Sequence, residues 1–206
     1  MKLRASISTW IVFSAMLSVV LVAPTLAEEG SDAQPKQFIS TEGFGKAKWG
    51  MTPDQVLRDY PNHKRGDAGG LKINLVVGGR ETEAYFVFRQ NALVIITARF
   101  TEVYNHLNGN IHEYEDVKRA LIKTHGKPIE DNTVWTDDLP RDAGELGRAV
   151  ATGRLRMSAR WETDKTTISL RCTGTNYQIY RVLRYESREL AGLPLPPDTT
   201  AADADS

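Results

Sequence analysis

The chain has 206 residues, with 26 basic and 26 acidic side chains and a single cysteine, Cys172. The charge balance excludes bulk attraction to nucleic acid. One cysteine excludes an intramolecular disulfide and a CxxC redox pair.

Residues 1–27 read as a secretory signal peptide. Lys2 and Arg4 form a positive start, an apolar run from Trp10 to Val22 follows, and Ala27 closes a small-residue cleavage site. The run is shorter than the ~20 residues of a membrane span. Cleavage near Ala27 sends the mature protein to the periplasm or outside the cell. It removes Lys2 and Arg4, leaving 24 basic against 26 acidic residues, a net charge of −2. Residues 28–40 read as a flexible segment, 41–190 as one folded domain, and 191–206 as a disordered tail rich in Pro, Asp, Thr and Ala.

The domain opens on the most tightly specified stretch, Lys48 to Asn62, KWGMTPDQVLRDYPN. Thr52 suits a helix N-cap and Pro53 the first helical position. Gln55, three residues after the cap, completes a capping box, and Met51 and Val56 occupy the positions of a hydrophobic staple. Asp54 complements the positive helix end, and Pro61 stops the helix. Each feature has a folding reason, so the motif is read as a helix start and Trp49 before it as a packing anchor. His63 falls in a polar loop. Three strands follow: Leu71 to Val77 with alternating apolar residues, then EAYFVFRQ and ALVIITARF around a tight Gln90-Asn91 turn.

A second unit starts near Asn110, read as an N-cap with Glu113 three residues on. Tyr114, Val117, Leu121 and Thr124 recur at helical spacing. Gly126 and Pro128 end the helix, where His125 as a cation would suit the dipole. NTVWT reads as a strand, RMSARWET and TTISLRCT as a hairpin around Asp164 and Lys165, and NYQIYRVLRYES from Asn176 as a long last strand. Residues 137–155 interrupt this unit as an insertion loop with a short helix near Glu145 to Val150. Asp137 and Asp138 read as solvated turn acids, and Cys172 as a small core residue. The expected fold is α+β: an antiparallel sheet with two helices on one face, in two tandem helix-then-strands units, about 41–104 and 105–190.

Gly50-Met51-Thr52 with Gln55-Val56-Leu57 resembles the first-helix start of the SmpA/OmlA-type outer-membrane assembly lipoproteins. Gly126-Lys127-Pro128 resembles the helix end of that group. The helix-plus-meander plan used twice is similar to the β-lactamase inhibitor proteins. The resemblance covers about 30 residues by motif and otherwise rests on element order; it implies a fold, and a role among proteins that bind other proteins.

Chemistry is sparse by motif. There is no GxSxG, SxxK or GxxxxGK[ST]. His106 and His112 flank LNGNI without a spacing that diagnoses a metal site. No cofactor and no metal is called for.

Charge is more informative. Residues 150–188 carry eight basic and three acidic side chains, a local +5. Strand parity puts Arg156 and Arg160 on the face opposite Met157, Ala159 and Trp161. Arg184 shares a side with Gln178 and Tyr180. If those strands are neighbours, Arg156, Arg160, Tyr180 and Arg184 form a basic stripe for an anionic ligand or an acidic envelope protein. The competing expectation is ordinary surface, with the arginines paired to Glu162 and Glu186. The chain therefore reads as a non-catalytic binding or interaction module. The alternative is an envelope hydrolase working through the 137–155 loop.

Overall fold

The structure, a computed structural model, describes residues 43–61, 63–65, 70–137 and 145–194. The predicted signal segment, the 28–40 segment, Asp138 and the chain beyond residue 194 lie outside the described residues. Gly43–Phe44 (β1) and Ala47–Lys48 (β2) pair as a small hairpin. Helix α1, Pro53–Asp59, starts where the local chemistry predicts. The Gln55 N–H donates to Thr52 Oγ1 at 3.3 Å and the Thr52 N–H donates to Gln55 Oε1 at 2.9 Å, a complete capping box.

Strands β3 (His63–Arg65), β4 (Leu71–Val77), β5 (Arg80–Arg89) and β6 (Ala92–Phe100) follow as a meander. His63 thus begins an edge strand paired to Ile73 and is not in a loop. Gln90 and Asn91 have φ of 48° and 65°, the left-handed pair that a two-residue hairpin with the twist of its strands demands.

Helix α2 runs from Asn108 to His125 and ends at Gly126, whose φ is 77°. It begins two residues before the predicted cap. Asn110 cannot cap it, because its side chain is committed elsewhere: Nδ2 donates to the Leu107 carbonyl at 3.0 Å and Oδ1 accepts from Arg181 at 2.5 Å.

Next come β7 (Glu130–Trp135), α3 (Leu146–Ala151), β8 (Leu155–Glu162), β9 (Thr166–Thr175) and β10 (Gln178–Ser187). Asn176 and Tyr177, predicted to open the last strand, instead form its turn, with φ of 50° and 63°. The short helix expected in the 137–155 stretch is present as α3, and it is a packed element. Gly147, Ala149, Val150 and Ala151 are buried, and a Cβ at Gly147 would sit 2.3 Å from the Leu107 carbonyl carbon. Asp137 is half-buried and ion-paired to Arg154 Nε at 2.6 Å, which corrects its reading as a solvated turn acid.

The fold is α+β. Eight strands form one antiparallel sheet in the order β3-β4-β5-β6-β10-β9-β8-β7. Its two faces differ in chemistry row by row. Phe86, Ile96, Tyr185, Ile168 and Trp161 are successive cross-strand partners and all are buried. All three helices contribute side chains to the core on this face, among them Val56, Tyr114, Leu121 and Val150. Two indoles fasten its rim: Trp161 Nε1 donates to the Gly126 carbonyl and Trp49 Nε1 to Thr166 Oγ1, each at 2.9 Å. Cys172 sits on the same face, and burial pushes its thiol up to about 12, so it is an inert core residue. His125 is half-buried at the end of α2. Burial lowers its pKa, which works against the cationic role expected of it.

Candidate functional site

The other sheet face is covered by no described helix. Residues opposite one another on neighbouring strands share a face, so the registers define its rows. One row runs Glu130, Arg160, Ser169, Arg184, Thr97, Tyr85, Lys72. The next runs Asn132, Ser158, Arg171, Val182, Arg99, Glu83 and Asn74. The predicted side-chain faces are therefore those observed. Met157, Ala159 and Trp161 are buried, and Arg156 and Arg160 point the other way.

The strands that carry the predicted residues are not neighbours. Strand β9 lies between β8 and β10, so Arg160 and Arg184 flank Ser169 from either side. Two strand spacings separate them by roughly 10 Å. Tyr180 lies further along β10, opposite Thr173, with 37% of its surface exposed.

Most cations on this face are matched by acids. Arg160 meets Glu130 at 2.5 Å and also Glu162, and the bond to Glu130 raises its pKa further. Arg184 meets Glu186 at 3.0 Å. Lys72 and Arg99 both reach Glu83 at 2.7 Å, and these bonds, Lys72 first, hold the Glu83 carboxyl down at about 2. The expected pairing with Glu162 and Glu186 is thus real for Arg160 and Arg184, though each acid lies on its arginine's own strand.

Arg156 and Arg171 are the exceptions. Both are exposed, and among the described residues neither meets a carboxylate. Arg171 faces Ser158 on one side and Val182 on the other. Arg156 is two residues from Ser158 on the same strand, so the two arginines are diagonal neighbours. Sequence reading missed Arg171. Its signal was available: in TISLRC it has the parity opposite to Ile168, Leu170 and Cys172.

A second polar cluster lies beneath the start of β10. Arg181 and Glu113, 3% and 1% exposed, are in contact at 2.9 Å, without an aligned N–H···O bond. Arg181 also donates to the carbonyls of Phe100 and Glu102 at 3.2 and 2.7 Å, and stacks over the Tyr104 ring at 5.3 Å. Arg80 approaches Glu113 at 3.5 Å and binds Asp116 at 2.7 Å. Burial pushes the Glu113 carboxyl up, against the pull of Arg181 and Arg80. The cluster ties α2 to β5, β10 and the linker after β6. It is a buried clamp, and its charges are matched internally.

Beside it, a recess of about 510 Å³ opens between that linker and the β9–β10 hairpin. Val103, Tyr177 and Tyr180 rim it, three of the six large apolar side chains exposed among the described residues.

Among the described residues, no three His, Cys, Asp or Glu side chains converge as metal ligands, and no helix is long and apolar enough to cross a membrane. Comparison with protein-family models, with curated proteins and with solved structures finds no match to this chain.

Proposed function

We propose that this protein is a non-catalytic interaction module of the cell envelope, which holds an acidic partner against the open face of its sheet. The observation that carries this reading is the pair Arg156 and Arg171. Two like charges set diagonally on neighbouring strands repel, and no described carboxylate relieves them. Every other open-face cation on the two rows above has its acid. A partner that brings carboxylates or phosphates to this spot removes the repulsion and gains forked guanidinium bonds. Arg160, Arg184 and Tyr180 border the same surface and extend it along β8 and β10.

Export through the residue 1–27 signal puts the module in the periplasm or beyond. The strand order supports a finer reading of the fold as two tandem helix-then-strands units, each a meander, joined where β6 meets β10. That plan is the basis of the resemblance to the SmpA/OmlA-type lipoproteins and the β-lactamase inhibitor proteins, and it favours binding over catalysis by analogy only. The hydrolase alternative has less support, because the described part of the 137–155 stretch is a buried helix and its ion-paired base.

The test is affinity capture from envelope extract with the mature protein as bait, and Arg156→Glu with Arg171→Glu as the matched control. The wild type should retain a specific partner at low salt and release it as salt rises. The double variant should melt like the wild type, since exposed changes usually stay within about ±0.5 kcal/mol, and should lose that partner. Equal capture by both proteins would reject the assignment of this face.

A further inference from the structure

The apolar rim and the basic face meet at Tyr180. This side chain lies on the open face and also lines the recess at the start of β10. Arg99 does the same from β6, and it shares its row with Val182 and Arg171. The recess therefore continues the charged surface and is not a separate hole. Its volume of about 510 Å³ is far more than a water site and accommodates a large side chain with its flanking backbone.

Its rim is unusual for a surface. Val103 is 91% exposed and Tyr177 63%. Apolar exposure gathered around a concavity marks a place where apolar surface is taken up. The charge around it is positive where it is unmatched: Arg156 and Arg171 have no described acid, while Glu102 at the rim already faces Arg80 at 3.9 Å.

From these observations we propose that the recess receives one large apolar side chain of an acidic peptide segment, whose carboxylates lie on Arg156 and Arg171. This inference rests on the reading of the open face as an interaction surface and names the chemistry of the partner. Tyr180 and Val103 would supply apolar contact, Arg99 a further cation, and the buried Arg181 clamp a fixed wall. The partner is an extended, acidic stretch with a single phenylalanine or leucine anchor.

Three synthetic peptides of about 12 residues separate the possibilities, each titrated calorimetrically at low salt against the mature protein. The first alternates Glu and Ser around one Phe. The second carries Ser in place of the Phe, and the third keeps the Phe but has Gln for every Glu. We expect the first to bind about tenfold tighter than the second, the order expected for burying one large apolar side chain, and tighter than the third by a margin that shrinks as salt is added. Val103→Ser with Tyr177→Asn should remove the advantage of the Phe and leave the salt-dependent binding of the second peptide in place. Equal binding of the first two peptides would overturn the recess while leaving the basic face standing, and so would a Phe advantage that survives in the double variant. Equal binding of the first and third would show an apolar site with no need of acid and overturn the acidic partner. If no peptide binds, the face and the recess fall together.

Discussion

Removing the Arg181 guanidinium would strip Glu113 of its nearest cation at a place where both side chains are almost fully buried. A buried ion pair need not stabilise a fold relative to apolar replacements, but an orphaned buried charge is costly. Burial already holds the Glu113 carboxyl above its ordinary value in spite of two nearby arginines. Arg181→Met should therefore cost about 3–5 kcal/mol at neutral pH, and Glu113→Gln much less, because Arg181 keeps Asn110 and two carbonyls as acceptors. The sign with pH follows from the raised carboxyl. A group whose folded pKa lies above its unfolded value gives full stability below the unfolded value and loses it as pH rises through the folded one. The Arg181→Met penalty should thus shrink as pH is lowered from 7 towards the ordinary carboxyl range. Urea unfolding of the two variants at neutral and mildly acid pH decides it. A penalty that grows towards acid would mean that Glu113 is not the group left stranded.

At the scale of elements, sequence reading succeeds where the partners are close in the chain. The α1 box needs only Thr52, Pro53 and Gln55, and all three are found in their predicted places. The Gln90-Asn91 turn and the alternation of Arg156 with Met157 are local too. It fails where a partner is remote. Asn110 has the look of a cap, but Arg181, 71 residues on, claims its oxygen. The 137–155 stretch looks like a loop by its glycines, yet Gly147 is there because α3 presses on the backbone at Leu107. The two cases give contrasting expectations. Thr52→Ala loses one cap and should cost ~0.5–2 kcal/mol. Gly147→Ala must push backbone apart, since its Cβ would lie 2.3 Å from a carbonyl carbon. It should cost at least as much, about 1–3 kcal/mol, although nothing in the local sequence advertises it. Thermal melting of both variants checks the order. A Gly147→Ala variant as stable as wild type would show that α3 is free to shift.

For the whole molecule, the class of fold was readable because helix and strand periods are distinct along this chain, with apolar alternation in Leu71–Val77 and helical spacing in Tyr114–Leu121. Strand order was not, because alternation says which side a residue faces and nothing about which strand lies beside it. That gap explains why the arginine stripe was conditional on strand order: β8 and β10 have the right faces, but β9 stands between them. It also explains why Arg171, on the intervening strand, was overlooked although it completes the surface.

The pairing of β6 with β10 has a consequence in time. Ile96 and Tyr185 are opposite each other, yet 89 residues apart in the chain. Long-range pairing of this kind slows folding, because a large loop must close before the contact gives anything back. With the chain delivered N-terminus first, the β4–β5–β6 meander can form early, but β6 keeps one edge bare until the last strand arrives. An unpaired edge is a template for other chains. The protein is therefore most exposed to aggregation and proteolysis in the interval before β10 docks. A chain stopped at Thr175 should be degraded or aggregate rather than persist as a folded first half; pulse-chase recovery of that shortened chain in stable, protease-resistant form would show that the first meander stands without its central partner.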